Sequence, residues 1–264
     1  MKTRIGTGWT SVGTALLAAL TLAARADQLI MKNTGQVIEA ESIRYKASSQ
    51  EYIVLNKGVT VPVPAKNVER AVVPRPPTLD PAITAVNGGK FDAAIGPLEK
   101  IVSDYEGFDW AFIARDVLGQ ALMGKKEFRK AVSTYKTILD GLPAEQIGLG
   151  TRRRYWEALK GAEQYSLLKS DLEKTIGAAS REAAALAQLL RGDMYAAQGQ
   201  KNEALLDYLR TVILYEQVKE VQPEALFKAA QLLEELRDPR AAELKKKLRE
   251  NFSGSPYAKQ MSGG

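Results

Sequence analysis

Two spacings of apolar and polar positions divide this chain. From residue 27 to about 73 the period is two. LIMK (29–32), QVIEAESIRYKA (36–47), EYIVLN (51–56), VTVPVP (59–64) and VERAVV (68–73) alternate between turns at Asn33-Thr34-Gly35, Ser48-Ser49-Gln50 and Lys57-Gly58. Alternating β-branched and aromatic residues between such turns predict a meander of about five short strands. Pro62 and Pro64 cannot donate to a ladder, so their strand is expected to lie at a sheet edge or to end early. From Leu79 onward the spacing becomes helical, with Ala94, Leu98 and Ile101 on one face of FDAAIGPLEKIVSDY. Asp80-Pro81 reads as a helix start and Asn87-Gly88-Gly89 as a stop. Pro74-Arg75-Pro76-Pro77 lies between the two regimes and reads as a stiff linker.

Within the helical region one pattern occurs twice. Ala131 is followed after one turn by Tyr135, and Ala204 by Tyr208; twelve residues before each alanine stands a glycine, Gly119 and Gly192. A small residue that lets a second helix approach, with an aromatic filling the space beside it, is a packing device. The two units resemble the tetratricopeptide repeat (TPR), a helix–turn–helix of about 34 residues. Leu118, Gly119, Leu122, Ala131, Tyr135, Ile138 and Pro143 carry the match in the first unit; Gly192, Tyr195, Gly199, Ala204 and Tyr208 carry it in the second. Arg115, Gln188 and Thr211 depart from the usual apolar residues. Glu216 stands where proline is usual, so the helix before it is expected to run on toward Val221. The 73 residues from Gly119 to Gly192 leave room for one intervening pair, 149–163 and 166–177. A truncated pair precedes and PEALFKAAQLLEELRD with PRAAELKKKLRENF follows, about five pairs in all.

The β segment resembles the small Src-homology-type barrels through its strand order, its G-x-V-I-x-x-E and V-x-V-P segments and a short turn over 64–67. The expected fold is therefore mainly α. A TPR-like solenoid of about five helix pairs follows a small five-stranded β-barrel-like domain. The expected division is a leader over 1–26, a β domain over 27–73, a linker over 74–78, the repeats over 79–252 and a flexible tail over 253–264.

The leader has Lys2 and Arg4, an apolar run from Val12 to Ala24 and an Ala24-Arg25-Ala26 cleavage site, which reads as a secretory signal peptide. An uncleaved anchor is the competing reading, but the run is short against the roughly 20 apolar residues that a spanning helix needs. The chain is then expected to be exported, periplasmic or extracellular, with no integral membrane segment after cleavage. Lys2, Arg4 and Arg25 leave with the leader, so 34 basic side chains face 31 acidic ones. That balance argues against a nucleic-acid partner. Histidine and cysteine are both absent. Triad hydrolysis, thiol catalysis and ordinary zinc or copper sites are excluded with them. No phosphate-cradling loop occurs, since Gly88-Gly89 and Gly148-x-Gly150 lack a following Lys-Ser/Thr. We expect no catalytic residue, metal or cofactor.

What remains is binding. Arg152-Arg153-Arg154 reads either as a grip for phosphate or carboxylate or as a solvated helix face. Lys245, Lys246, Lys247 and Arg249 suit a helix C-terminus. Trp110 and Trp156 are aromatic anchors, Trp156 by preference core. The TPR resemblance implies a groove lined by the first helix of each pair. Mapped here, its residues are Ile113, Asp116, Gln120 and Met123, then Leu186, Leu189, Asp193 and Ala196. It implies a non-enzymatic scaffold for a protein or peptide partner of the cell envelope. The alternative is a cell-wall or polysaccharide-associated module in which the β domain binds polymer; the β domain as a structural cap is equally open.

Overall fold

The structure is a computed structural model and describes residues 26–262. The leader, but for its last residue, lies outside them. The chain divides into a β unit and a helical unit.

The β unit holds six strands: β1 (Asp27–Met31), β2 (Val37–Ala40), β3 (Ser42–Lys46), β4 (Glu51–Asn56), β5 (Val59–Pro64) and β6 (Val68–Val72). They form two three-stranded sheets, ordered β2-β1-β6 and β3-β4-β5. The five-stranded barrel-like expectation is thus corrected. The stretch 36–47 is two strands, because the chain turns a corner at Glu41 and passes from one sheet to the other. Two bonds pin that corner: the Glu41 N–H donates to the Leu55 carbonyl at 3.0 Å, and the Ile43 N–H donates to Asp27 Oδ2 at 2.8 Å. β1 pairs antiparallel with β2 (Leu29↔Ile38) and with β6 (Leu29↔Ala71). Leu29, Ala40, Ile43, Tyr52, Val54 and Ala71 are buried. Proline-bearing β5 lies at a sheet edge, where the missing N–H groups cost no ladder bond. One 3₁₀ turn, Ala65–Asn67, leads into β6.

The helical unit is built from α1 (Leu79–Asn87), α2 (Phe91–Asp104), α3 (Asp109–Gly124), α4 (Phe128–Gly141), α5 (Leu149–Gly161), α6 (Tyr165–Ala178), α7 (Arg181–Ala197), α8 (Lys201–Leu214), α9 (Gln222–Glu235), α10 (Arg240–Asn251) and α11 (Pro256–Ser262). Successive helices pack on one another. The first helices of neighbouring pairs also touch, α1 on α3, α3 on α5 and α5 on α7. Each of the five hairpins turns on one left-handed residue: Gly89, Lys126, Glu163, Gly199 and Arg237, with φ of 72°, 61°, 58°, 75° and 57°. The residue after each donates its N–H back five positions, as from Glu127 to Leu122 O and from Asp238 to Leu233 O, closing the first helix with the same C-terminal motif. The five turns are 37, 37, 36 and 38 residues apart, longer than the 34 of the family pattern. The same interval recurs in the second helices, where Ala94, Ala131, Leu168, Ala204 and Ala241 are all buried.

Two boundaries differ from the sequence reading. α8 stops at Leu214 and does not run on to Val221. Gln222, buried at the start of α9, donates its side-chain amide to the Thr211 and Tyr215 carbonyls and so closes the C-terminal turn of α8. The tail expected to fray over 253–264 contains α11. Its Ala258 is buried, and the Tyr257 ring lies 5.6 Å from that of Phe227.

Candidate interaction surface

The repeat interval allows the expected groove residues to be compared place by place. Ile113, Gly150 and Leu186 are equivalent, as are Asp116, Arg153 and Leu189, and Gln120, Glu157 and Asp193. On α3 these positions face solvent at least in part. Ile113 is 39% exposed, and Asp116, Gln120 and Met123 are half-buried. On α7 they do not. Leu186 is 5% exposed, Leu189 is 0%, and every residue from Ala183 to Leu190 is buried. Leu186 and Leu189 are therefore core residues, and assigning them to an open groove is corrected. Asp193 is buried and fully engaged, whereas Ala196 is exposed but lies beyond the covered part of the helix.

Charged side chains also cross between the first helices. The arginine triplet on α5 reaches in three directions. Arg152 donates to the Ala144 carbonyl at 3.1 Å. Arg154 grips both oxygens of Asp116 on α3 at 2.8 and 2.7 Å, and Thr151 adds a bond at 2.9 Å. Arg153 bonds Glu157 one turn on at 2.9 Å, and its Nη2 reaches both carboxylate oxygens of Glu224 on α9, each at 2.8 Å. Lys228 then joins Glu224 (2.5 Å) to Asp193 on α7 (2.7 Å), where the Tyr208 hydroxyl also donates at 2.8 Å. A bond from α5 to α9 thus spans the helix between them. Four cations (Arg153, Arg154, Lys160, Lys228) meet four carboxylates (Asp116, Glu157, Asp193, Glu224), so this stretch of the inner face is neutralised from within.

The electrostatics follow. Burial pulls the Glu224 carboxyl upward, but Lys228 and then Arg153 outweigh it and hold the group below the usual carboxylate range. Burial disfavours the Arg153 charge, yet Glu224 more than restores it. Burial and then the Asp193 charge push the Tyr208 hydroxyl up. On α11, burial and then Glu224 raise Tyr257 to about 12.

Glu224, Lys228 and Asp207 escaped the sequence reading. Asp207 is buried on α8 and accepts from Gln188, Arg191 and Arg210 at 2.6 to 3.0 Å. Its only sequence trace is Gln188, a polar residue at a place that is usually apolar. Thr211, a second departure, donates to the Asp207 carbonyl. The third, Arg115, lies over the Phe112 ring at 5.7 Å. Trp156 is core, with its indole N–H donating to Asp171. Trp110 is half-buried under the Arg75 guanidinium, 5.1 Å from the ring centre. The three α10 lysines are paired: Lys245 with Glu234, Lys246 with Glu250 and Lys247 with Glu216. Among the described residues no three acidic side chains converge as metal ligands, and no helix is long and apolar enough to cross a membrane.

Five hairpins closed by one turn geometry, with first helices in mutual contact, can be compared with solved structures. A structure of nearly identical TPR-like repeats, assigned as a kinesin light chain of Podosopora anserina, superposes with a TM-score of 0.50. It is 16% identical and covers 65% of this chain and 92% of its own. A variant of the same protein gives a TM-score of 0.51 at the same identity, covering 65% and 91%. The helical unit has the TPR-like repeat fold. No family model matches the chain, and no curated protein matches it. The likeness is one of fold alone.

Proposed function

We propose that this chain is an exported, non-enzymatic scaffold that holds a protein or peptide partner of the cell envelope against the inner face of its array at α3 and α5. The observation that carries this reading is the contrast between equivalent positions. Ile113, Gln120 and Met123 stay accessible on α3, whereas Leu186 and Leu189 on α7 are buried. An aliphatic residue, an amide and a thioether spaced along one helix face suit the side of a partner helix or an extended peptide. Export rests on the basic head, apolar run and small-residue cleavage site of residues 1–26.

A photo-crosslinking residue placed at Ile113 or Met123 should yield discrete protein adducts in envelope extract. Ile113→Asp and Met123→Asp should each reduce recovery of the same proteins in a pull-down. Unchanged recovery with both variants would reject the α3 surface. Amino-terminal sequencing of the protein from its native host should begin at Asp27; a chain that retains Met1 would reject cleavage.

A further inference from the structure

One place of the repeat is a hollow on α2 and α4 and a knob on α8. A cleft of about 420 Å³ is lined by Gly96 of α2, by Ser133 of α4 and by the apolar Leu118 and Leu122 of α3. A Cβ built at Gly96 would meet nothing within 4 Å. The residue of α8 equivalent to Gly96 and Ser133 is Leu206. Leu206 is 48% exposed, and Ile213, two turns on, is 70% exposed. Arg210 lies between them, and a spacing of four and then three residues puts all three on one face of the helix.

Charges flank both features in the same order. On α8, Glu203 stands three residues before Leu206 and Arg210 four after it. At the cleft, Lys130 stands three residues before Ser133 and Glu99 three after Gly96, and both line it. Glu99 and Glu203 are exposed. Arg210 bonds Asp207 through Nη1 and keeps 44% of its side chain in water. Lys130 is paired with Glu127 and is more exposed still.

We infer that α8 of one copy docks in the α2–α4 cleft of a second copy, parallel to those helices, with Leu206 seated between Gly96 and Ser133. In that register Glu203 meets Lys130 and Arg210 meets Glu99. The antiparallel register would set Glu203 against Glu99, like charge on like, so the order of charges selects the direction. Leu206 leaves water for a lining that Leu118 and Leu122 already make apolar. Stripe and cleft are different surfaces of one chain, so the contact is heterologous. Each copy offers its cleft to one neighbour and its stripe to another, and the assembly grows unless the rotation closes it into a ring. The inference is separate from the partner surface on α3, because Ile113 and Met123 do not line this cleft.

Sedimentation velocity on the purified mature chain, with no partner present, should show a mass that rises with concentration past that of a dimer. Leu206→Asp removes the knob and Ser133→Glu blocks the cleft. Each should weaken association by about tenfold or more. Neither should disturb the fold, since Ser170 and Glu243 occupy the equivalent places of α6 and α10. The first variant keeps its cleft and the second its stripe, so an equal mixture should form a one-to-one pair although neither associates by itself. Glu203→Lys should weaken the assembly, and Lys130→Glu in the same chain should restore it. A parent chain that stays monomeric into the millimolar range, or that stops at a dimer, overturns the inference. So does association that both single variants leave unchanged, or a mixture that stays monomeric. Because no partner is present, failure here leaves the α3 surface untouched.

Discussion

Gly119 on α3 lies against the end of the Tyr135 ring on α4. A Cβ built at Gly119 would stand 2.4 Å from Tyr135 Cζ, and one at Gly192 would stand 2.5 Å from Tyr208 Cε1. The absent side chain on the first helix is the space that the ring of the second helix occupies. The device recurs at the helix ends, where Phe91 fills the space beside Gly124 and Phe128 that beside Gly161.

Both rings are buried and cannot swing clear. Gly119→Ala and Gly192→Ala should each lower stability by about 1–3 kcal/mol through overpacking, a loss that exceeds the roughly 1 kcal/mol that alanine gains in a helix. Urea denaturation of the variants checks this. Gly119→Ala combined with Tyr135→Leu should recover part of the loss, and a double variant no better than the single one would count against ring contact as the cause.

Lys126, Glu163 and Arg237 hold the left-handed conformation at hairpin turns where two sister hairpins use Gly89 and Gly199. That conformation strains a residue with a Cβ, by about 1–2 kcal/mol, and glycine's greater freedom in the unfolded chain offsets part of the relief. Each of Lys126→Gly, Glu163→Gly and Arg237→Gly should therefore stabilise by about 0.5–1 kcal/mol, and Gly89→Ala or Gly199→Ala should destabilise by a similar amount. Thermal melts give the order directly.

Glu224 has its carboxyl held below the ordinary range, because Lys228 and Arg153 outweigh the effect of burial. The stability it contributes is present above the unfolded carboxyl value of about 4.3 and is lost as pH falls through the lower folded value. Melting temperature should drop on acidification below pH about 4.3, and Glu224→Gln should flatten that part of the profile. A variant profile parallel to that of the parent would show that the acid loss arises elsewhere.

Tyr257 is shifted the other way, to about 12. Its contribution to the docking of α11 is complete below the unfolded phenol value of about 10 and is lost as pH rises from there toward 12. Alkaline titration followed by tyrosinate absorbance should show one fewer late-titrating phenol in Tyr257→Phe. Limited proteolysis at the C-terminus should become faster over the same interval in the parent chain.

On α8, Leu206 and Ile213 stand 48% and 70% exposed. The equivalent places in the other second helices hold Gly96, Ser133, Ser170 and Glu243, and Ser103, Asp140, Gly177 and Glu250. The hairpin does not require an aliphatic residue there. Leu206→Ser and Ile213→Asp should change folding stability by less than about 0.5 kcal/mol, and chemical denaturation would detect a larger effect.

Much of this fold is legible in the amino-acid sequence because it depends on local spacing. Glycine and aromatic at fixed separation, alanine recurring one hairpin later and a turn every 36 to 38 residues all come from contacts within one helix pair or its neighbour. The strands are legible for the same reason, as are the prolines that send β5 to an edge. Three things belong to tertiary structure alone. The corner at Glu41 carries no turn residue, so alternation marks strands without saying which sheet each joins. α11 is short and polar in sequence and is a helix because Ala258 and Tyr257 have α9 to pack against. Whether an inner-face position is exposed or covered depends on which helices pack against it. An apolar residue such as Leu189 presents the same pattern beneath a neighbouring helix as beneath a bound peptide. Arg153 and Glu224, 71 residues apart, meet only once the helices between them have packed.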